Sequence, residues 1–363
     1  MTNIQIFYGS KKEFDKITPL NFRTLTDLVY EIDRDSKNFN ILIQGQEESE
    51  KDLLFVENFV VSSDEYAGVK EHVIINFNNF ISKFYSENIF LHNPPLQISE
   101  QIQRLNPDTQ IIFQDYSSIN LEHLVKINTK YDTKIIGQQI VKFELLQALY
   151  PLTMKSRTKP VVILLYGQSG VGKTETAKFL ADIIGEPLFR KQFSMYQNSQ
   201  FSTYLFGGAH YEKSFAKDLL DRQSNVLLLD EFDKAHSSFH SAFYQLFDEG
   251  VYEDQNYSLK LEKSIIICTS NYNNLDEIEE HLGSAIYNRF DKIIHFSNLS
   301  DDAKQKIGET IYSQLSGIYE NQLSEEIIQR LTSSYVKCDN ARQIQHLIED
   351  TFALHAVLEN FKY

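Results

Sequence analysis

The stretch V-V-I-L-L-Y-G-Q-S-G-V-G-K-T occupies residues 161–174 of the chain. Its first six residues, Val161 to Tyr166, are apolar and uncharged, which is typical of a strand buried on both faces. The next eight, Gly167 to Thr174, match G-x-x-x-x-G-K-[ST] at every fixed position. A buried strand that runs directly into this pattern predicts a phosphate-binding loop followed by a helix.

Each fixed position of the loop has a physical reason. Its glycines let the backbone turn tightly and bring N–H groups within reach of phosphate oxygens. Lys173 then meets the β- and γ-phosphates, and Thr174 offers a hydroxyl to Mg²⁺. A glycine-rich turn that binds nothing is the alternative, but eight positions in register after a strand disfavour it. The predicted ATP-binding residues here are Gly167, Gln168, Ser169, Gly170, Val171, Gly172, Lys173, Thr174 and Glu175.

Two further apolar runs end in polar side chains. The run Val226–Leu229 leads into Asp230 and Glu231, and the run from Ile265 ends at Asn271. After a phosphate-binding loop, an aspartate in that place holds Mg²⁺, and a neighbouring glutamate can deprotonate the attacking water. We therefore predict Asp230, with Thr174, as the metal ligands and Glu231 as the catalytic base.

Length and composition narrow the class of protein. A chain of 363 residues suggests two or three domains. The net charge of −15 argues against binding nucleic acid through a broad basic surface, so a nucleic-acid partner is not expected. The two cysteines imply no disulfide framework, and no apolar run approaches the length of a membrane span. We expect a cytoplasmic protein with no membrane partner.

Residues 1–128 contain no chemical motif and are predicted to form a separate α/β or α+β domain that recruits a partner or substrate. Short runs rich in β-branched and aromatic residues predict its strands, and helical spacing of apolar residues predicts its helices. The predicted strands are Ile4–Tyr8, Asn40–Ile43, Leu53–Val61, Val73–Phe77 and Gln110–Phe113, and the predicted helices are Phe22–Ile32, Ser99–Leu105 and Leu121–Val125.

The order of motifs along the chain resembles one protein family. The segments are I-G-Q at 136–138, G-Q-S-G-V-G-K-T, L-L-L-D-E-F-D-K-A-H at 227–236, F-Y-Q-L-F-D-E-G-V-Y at 243–252 and I-C-T-S-N at 267–271. Together they resemble an AAA+ ATPase of the Clp/ClpB type, in particular the second ATPase domain of its unfoldases and disaggregases. The resemblance covers about residues 133–350. It implies a P-loop core with a parallel sheet flanked by helices (129–297) and a small helical lid (298–363).

The resemblance also implies roles that no pattern above predicts. Asn271 matches the sensor-1 residue of the family. Arg289, in N-R-F-D, matches the arginine that enters the neighbouring subunit's site, and Arg342 matches the sensor-2 arginine of the lid. Ile135 and Ile136 match the residues that line the adenine pocket. An arginine acting in trans requires a closed ring, which in this family has six subunits.

Three departures bear on function. The family's glycine–aromatic loop, which grips polypeptide, is shorter here and lacks its G-Y-V-G core. Tyr211 is the candidate pore aromatic, with His210 and Phe206 weaker, and simple packing is an equal alternative. The first ATPase ring and usual recruiting domains are replaced by residues 1–128, and the lid reads Asn340-Ala-Arg instead of Gly-Ala-Arg. There is also no I-G-F loop for docking a protease.

Two functions follow from these features. The first is ATP hydrolysis by an oligomer that remodels or unfolds protein clients. The second is an ATP-switched assembly module that controls a bound partner, such as a defence or toxin effector, without threading. A DNA-loading or helicase ATPase is disfavoured by the acidity of the chain.

Overall fold

The computed structural model describes residues 2–38, 53–195, 200–235, 237–319 and 323–361. The chain divides into two compact units. The first unit lies within Met1–Tyr116, Asn198–Gln223 and Val251–Lys260, and the second within Ser117–Gln197, Ser224–Gly250 and Leu261–Tyr363. The boundaries predicted after residues 128 and 297 remain predictions. By compactness, residues 117–128 go with the second unit, and two later stretches go with the first.

The described residues form strands and α-helices that we number in chain order. The strands are β1 (Asn3–Tyr8), β2 (Arg23–Thr24), β3 (Leu54–Val61), β4 (Phe84–His92), β5 (Gln110–Phe113), β6 (Val161–Tyr166), β7 (Phe189–Gln192), β8 (Val226–Asp230), β9 (Val251–Glu253), β10 (Ser258–Lys260), β11 (Ile265–Ser270) and β12 (Lys292–His295). The helices up to the phosphate-binding loop are α1 (Lys11–Ile17), α2 (Leu25–Asn38), α3 (Glu71–Ile75), α4 (Phe77–Ile81), α5 (Leu96–Leu105), α6 (Leu121–Lys134) and α7 (Gln139–Leu149). The later helices are α8 (Lys173–Ile184), α9 (Gln200–Phe206), α10 (Phe215–Leu220), α11 (Tyr244–Glu249), α12 (Leu275–Leu282), α13 (Ser284–Tyr287), α14 (Asp301–Tyr319), α15 (Glu325–Ser334) and α16 (Ala341–Phe361).

The first unit is built on a five-stranded sheet of order β2-β3-β4-β1-β5. All four pairings in it are parallel. Parallel neighbours need long crossover connections, which here include helices, so the unit is α/β. Of the two classes predicted for this domain, the structure therefore selects α/β. The first unit also contains the two-stranded antiparallel pair of β9 and β10.

Most of the elements predicted for residues 1–128 are confirmed, one prediction is wrong, and one strand was missed. Strands β1, β3 and β5 and helices α2, α5 and α6 lie where the patterns place them, although the bounds shift. The prediction of a strand over Val73–Phe77 is wrong. Val73, Ile74, Phe77 and Phe80 are buried at helical spacing, on α3 and α4. Strand β4 was not predicted, and the predicted strand Asn40–Ile43 lies outside the described residues.

The second unit is built on a parallel five-stranded sheet of order β12-β6-β11-β8-β7. Every residue of β6, β8 and β11 is buried, as the apolar runs predict. A fully buried Val, Leu or Ile side chain contributes about 1.5–3 kcal/mol, so these three strands are the centre of the core. Their carboxyl ends lie at one edge of the sheet, which is where ligands bind in such folds.

The predicted helical lid is confirmed in the described residues. Helices α14, α15 and α16 share a separate core that includes Leu331, Tyr335, Ile344 and Phe352. Gly308 on α14 faces the ring of Tyr335 so closely that a Cβ would lie 2.3 Å from it. A small residue is therefore required where the helices meet.

Among the described residues, no helix combines the length and apolar character that crossing a membrane requires.

Candidate nucleotide site

The loop between β6 and α8 has the backbone of a glycine-dependent turn. Gly167, Gly170 and Gly172 have φ values of 132°, 76° and 112°. A Cβ on Gly167 would lie 2.3 Å from the carbonyl oxygen of Phe296, so this position also lacks room for a side chain. Only glycine adopts these conformations without strain. The loop thus has the form that a phosphate-cradling loop requires.

Lys173 starts α8 and turns its ammonium group back onto the loop. Its Nζ donates to the carbonyl oxygens of Gly167 (2.6 Å) and Gln168 (2.7 Å) and to Oδ1 of Asn271 (3.2 Å). Burial lowers the pKa of Lys173 to about 8, and the nearby carboxylates of Asp233 and Asp230 act in the opposite direction. A desolvated ammonium held by carbonyl dipoles is ready to exchange them for phosphate oxygens.

Asp230 ends β8 with a buried carboxylate. Its Oδ1 accepts from the hydroxyl of Thr269 at 2.6 Å and lies 3.5 Å from the hydroxyl of Thr174. Its Oδ2 accepts from Nε (3.0 Å) and Nη2 (2.5 Å) of Arg190. Two predicted metal ligands, Thr174 and Asp230, are therefore neighbours, and a cation already neutralises the carboxylate.

Glu231 follows β8 in a left-handed backbone conformation, with φ of 54°. Non-glycine residues in this region store about 1–3 kcal/mol of strain, which commonly accompanies a functional role. Its N–H donates to Oγ1 of Thr269 (2.9 Å), and its Oε2 accepts from Nε2 of Gln192 (3.1 Å). The glutamate is thereby fixed at both backbone and side chain.

Three of these positioning residues were not predicted from the sequence. Arg190 and Gln192 lie two residues apart on β7, on the same face of the strand, and reach Asp230 and Glu231 respectively. Thr269 belongs to the polar end of β11. Strand β7 reads F-R-K-Q, which has no alternation that would single out these two residues, and their contacts become evident only once β7 is known to pair with β8.

The two residues predicted to contact adenine, Ile135 and Ile136, lie in the connection between α6 and α7. Ile135 caps α6 and is buried, and a Cβ on Gly172 would lie 3.3 Å from its side chain. Ile136 lines a cavity of about 470 Å³, a volume within the roughly 300–1,000 Å³ range of small-molecule sites. The cavity is lined by Asp132, Thr133, Ile136, Gly137 and Gln139 and by Lys306, Glu309, Thr310 and Ser313 of α14.

The lid contacts the loop through the first turn of α16. The N–H of Ala341 donates to the carbonyl oxygen of Gly170 at 3.2 Å. Asn340 lies against Gly170, and its Oδ1 accepts from the N–H of Gln343 at 3.0 Å. Asn340 therefore caps the helix, which gives a physical reason for asparagine where the family has glycine. Arg342 is exposed on the next position of this helix.

Comparisons with known proteins agree with this geometry. A family model described as "AAA domain (Cdc48 subfamily)" matches residues 158–334. This range contains the loop, Asp230, Glu231 and Asn271.

Over these residues the chain is similar to AAA+ ATPase domains of the Clp/ClpB type, and we call the second unit, which contains the loop, the AAA+ domain.

Two curated relatives of this domain are similar over part of their length. The ATP-binding subunit ClpL of the ATP-dependent Clp protease from Staphylococcus aureus (strain bovine RF122 / ET3-1) is 30% identical over 235 residues, covering 58% of this chain and 33% of that protein. Chaperone protein ClpB from Malacoplasma penetrans (strain HF-2) is 25% identical over 302 residues, covering 73% of this chain and 42% of that protein. The chain thus spans less than half the length of these relatives.

One solved structure shares the fold. The Saccharomyces cerevisiae Hsp104–ADP complex superposes with a TM-score of 0.52 at 21% identity, covering 66% of this chain and 49% of that chain. This likeness concerns the fold alone.

The structure does not bring every predicted site residue to the loop of the AAA+ domain. Nε of Arg289 donates to Oδ2 of Asp248 (2.8 Å), and Nη1 donates to the carbonyl oxygen of Ala285 (2.5 Å). The guanidinium also lies 4.2 Å from the centre of the Tyr244 ring. These three contacts are with residues of its own chain, and the action of Arg289 on a neighbouring subunit's site remains a prediction.

Within the loop, the side chains differ in exposure. Gln168, Ser169 and Glu175 are exposed, and Val171 is buried. Glu175 pairs with Lys178 on the surface of α8 at 3.2 Å. Any role of these residues in binding nucleotide stays a prediction.

The three candidate pore residues lie in the first unit. Tyr211 is 61% exposed and Phe206 38% exposed. His210 is buried, and its Nε2 donates to the carbonyl oxygen of Val69 at 3.0 Å. The stretch that carries them is therefore packed with residues that come from the N-terminal part of the chain.

Proposed function

We propose that this chain binds Mg²⁺–ATP at the Gly167–Thr174 loop and hydrolyses it. The observation that supports this is the meeting of Lys173, Asp230, Glu231 and Asn271 at the carboxyl ends of three adjacent strands. The predicted site residues come from parts of the chain up to about a hundred positions apart. Their convergence beside a phosphate-type loop is what phosphoryl transfer requires.

The side chains at this site are chemically suited to hold Mg²⁺ and the phosphates of ATP. Hydroxyl and carboxylate oxygens of Thr174 and Asp230 are the hard ligands that Mg²⁺ prefers. Mg²⁺ is commonly held by one or two such ligands together with phosphates and water. Among the described residues, no group of three or more His, Cys, Asp or Glu side chains could hold a metal by itself. Bound Mg²⁺ would neutralise charge on the β- and γ-phosphates.

We assign each of these side chains a separate role in ATP hydrolysis. Lys173 and Arg342 balance phosphate charge, and Asn271 positions the attacking water. Glu231 accepts the proton of that water, with its carboxylate aimed by Gln192. Arg289 of a neighbouring copy supplies the remaining positive charge, which implies a homo-oligomeric ring, with six subunits as the proposed number.

A glutamine substitution tests the base. Glu231→Gln keeps the shape of the side chain but cannot accept a proton, so turnover should fall about 10²–10⁴-fold while ATP binding persists. ATP hydrolysis and binding of a fluorescent ATP analogue are measured in parallel, with Glu280→Gln on exposed helix α12 as the matched control. Undiminished turnover in Glu231→Gln would remove this residue from the mechanism.

We propose that hydrolysis drives remodelling or unfolding of a protein client recruited by residues 1–128. A specific observation keeps the ATP-switched assembly module as the second candidate: the stretch bearing Tyr211 packs within the first unit. A free gripping loop would not need such packing.

The two candidates make different predictions for Tyr211. If the chain threads polypeptide, Tyr211→Ala should leave ATP turnover intact and abolish unfolding of a tagged model protein, because the exposed ring is the gripping group. Tyr319→Ala, on lid helix α14, is the aromatic control. A wild-type chain that unfolds nothing, while ATP changes its sedimentation, supports the switch instead.

A further inference from the structure

The two units share one strand order. Counted by order of appearance within each parallel sheet, the first reads 5-1-4-3-2 (β5-β1-β4-β3-β2) and the second reads 5-1-4-3-2 (β12-β6-β11-β8-β7). The local geometry after the first strand also repeats. Gln114 N–H donates to the carbonyl oxygen of Tyr8 at 2.8 Å, as Phe296 N–H does to that of Tyr166. Gly9 in the first unit therefore corresponds to Gly167 in the second.

In its described residues, the first unit lacks the loop and the carboxylate that we propose hold a nucleotide in the second unit. Two residues, 9 and 10, connect its first strand to its first helix, where the AAA+ domain has six, 167–172. A connection of two residues cannot wrap around a phosphate. Its third strand, β3, ends in Val61, whereas β8 ends in Asp230.

A second difference lies at the glycine itself. The carbonyl oxygen of Gly9 accepts from Nδ2 of Asn93 (2.8 Å) and from Nε2 of His92 (2.7 Å). The corresponding oxygen of Gly167 accepts from the ammonium of Lys173. Neutral side chains of the first unit thus make the contact that the phosphate-binding lysine makes in the AAA+ domain.

We propose that the first unit is a counterpart of the ATPase core that binds no nucleotide and instead binds two later stretches of its own chain. We call these stretches, residues 200–223 and 251–260, the insert. On this proposal the insert, which carries Tyr211, stays docked on the carboxyl ends of the first unit's strands. Its position then depends on the nucleotide bound to the AAA+ domain, a point that rests on the proposed function.

Hydrogen bonds join the insert to the N-terminal part of the chain. Lys11 N–H, at the start of α1, donates to Oδ1 of Asp221 at 2.7 Å. Leu96 N–H donates to the carbonyl oxygen of Asn256 at 2.8 Å. With the bond between His210 and Val69, three separate contacts fix the insert.

Apolar packing supports the same arrangement. Large side chains of the insert are fully or almost fully buried, and the ring of Phe215, from residues 200–223, packs edge-on against that of Tyr252, from residues 251–260, with centroids 5.0 Å apart; the buried side chains are Phe201, Leu205, Phe215, Leu219, Tyr252 and Tyr257. The guanidinium of Arg222 lies 3.9 Å from the centre of the Tyr116 ring, and the Tyr116 hydroxyl donates to the carbonyl oxygen of Arg222 at 3.1 Å. Burial of this extent is typical of a permanent contact.

The space left over the strand ends is small. Ser63, Asp64 and Asn93, which follow β3 and β4, line a cavity of about 240 Å³ together with Tyr211 and Lys217 of the insert. This volume is below the roughly 300–1,000 Å³ of sites that hold small organic ligands. The insert therefore occupies the edge at which a nucleotide would bind.

The chain itself links the insert to the ATP site. Residues 200–223 lie between β7 and β8 in sequence. Strand β7 carries Arg190 and Gln192, and β8 leads to Asp230 and Glu231, which they hold. If binding of Mg²⁺–ATP changes the contacts of Arg190 with Asp230 and of Gln192 with Glu231, the change reaches β7 and β8, the two strands that flank residues 200–223 in sequence.

Hydrogen–deuterium exchange on the full-length chain tests the docking, with Asp221→Ala and the control Asp221→Asn. Alanine removes the acceptor for Lys11 N–H, whereas asparagine retains an acceptor oxygen. A hydrogen bond to a charged group accounts for about a ten- to hundredfold change in local opening, so Asp221→Ala should speed exchange over residues 11–17 and 200–223 by that factor. Asp221→Asn should stay near the wild type.

Exchange at the wild-type rate in Asp221→Ala would overturn the docking. If Asp221→Ala does not fold, exchange is measured on the wild-type chain with and without Mg²⁺–ATP. Binding of Mg²⁺–ATP should change the exchange rate over residues 200–223, and an unchanged rate there would overturn the coupling.

Equilibrium dialysis with labelled ATP tests whether the first unit binds no nucleotide. If one ATP binds per wild-type chain and none binds to Lys173→Ala, the first unit binds no nucleotide, as proposed. Binding of two ATP molecules per chain would refute this part of the proposal. No binding at all refutes the proposed ATPase function, while exchange still decides the docking.

Discussion

Replacing Thr269 with valine removes one hydroxyl that contacts both the predicted metal ligand, Asp230, and the predicted catalytic base, Glu231. The hydroxyl donates to Asp230 Oδ1 at 2.6 Å and accepts from Glu231 N–H at 2.9 Å, and Thr269 is 2% exposed. Valine has nearly the same shape, so packing is kept while both hydrogen bonds are lost. The variant therefore isolates the contribution of this hydroxyl.

The expected cost follows from these two bonds. A hydrogen bond to a charged group contributes about 1.5–3 kcal/mol, and a buried N–H left without its partner costs about 1–3 kcal/mol. Asp230 keeps its ion pair with Arg190, so the lower half of the summed range applies, about 3 kcal/mol. For a unit of 150–250 residues, where 1 kcal/mol shifts Tm by about 2–4 °C, this predicts a fall of about 6–12 °C.

Scanning calorimetry measures this shift in the transition that ATP raises, since ligand binding stabilises the unit that binds it. Turnover should also fall, about ten- to hundredfold, because Glu231 loses the bond that fixes its backbone. Thr269→Ser keeps the hydroxyl and should retain most of the stability and activity. A Tm for Thr269→Val within about 2 °C of the wild type would refute the role given to this hydroxyl.

Three further predictions concern the charges of the ATP site. Because burial lowers the pKa of Lys173 to about 8 and only the ammonium binds phosphate, ATP affinity should fall about tenfold from pH 7 to pH 9. Calorimetric titration checks this, and Lys173→Arg should show a flatter profile. The same shift makes the free energy of unfolding rise as pH increases above 8, since the unfolded chain then keeps a proton that the folded chain has lost. Arg190 pairs with Asp230 in the metal-free protein, so Arg190→Ala should lower the Mg²⁺ concentration for half-maximal turnover by about two- to fivefold, with Arg190→Lys between the two; an increase would contradict this competition.

Much of the ATP site could be predicted because its signals are local. The loop from Gly167 to Thr174 is one continuous stretch, and the apolar run that became β6 leads directly into it. The apolar runs that became β8 and β11 lead into polar residues, which indicated Asp230 as a metal ligand, whereas the role of Asn271 came from the resemblance to the Clp/ClpB type.

Local sequence signals were insufficient where a short apolar segment is compatible with both a strand and a helix. Val73–Phe77 has the composition of a strand, yet its side chains are buried as two short helices. Strand β4 was not predicted because three consecutive polar residues, Ser86 to Asn88, interrupt its apolar pattern, although the strand is central in the first sheet. Packing against neighbouring elements decides such segments, and that packing is not written in the segment itself.

Local sequence signals predicted the phosphate-binding loop and the buried strands beside it, and the resemblance to the Clp/ClpB type implied the helical lid. The contacts by which Arg190 and Gln192 hold the carboxylates, and the strand order that both sheets share, became evident only in the folded chain. The folded chain also shows that residues 200–223 pack with the N-terminal part of the chain. The difference lies in the separation of the interacting residues along the sequence. A loop motif depends on neighbouring residues, whereas strand pairing and docking depend on residues that are distant in the chain and meet only after folding.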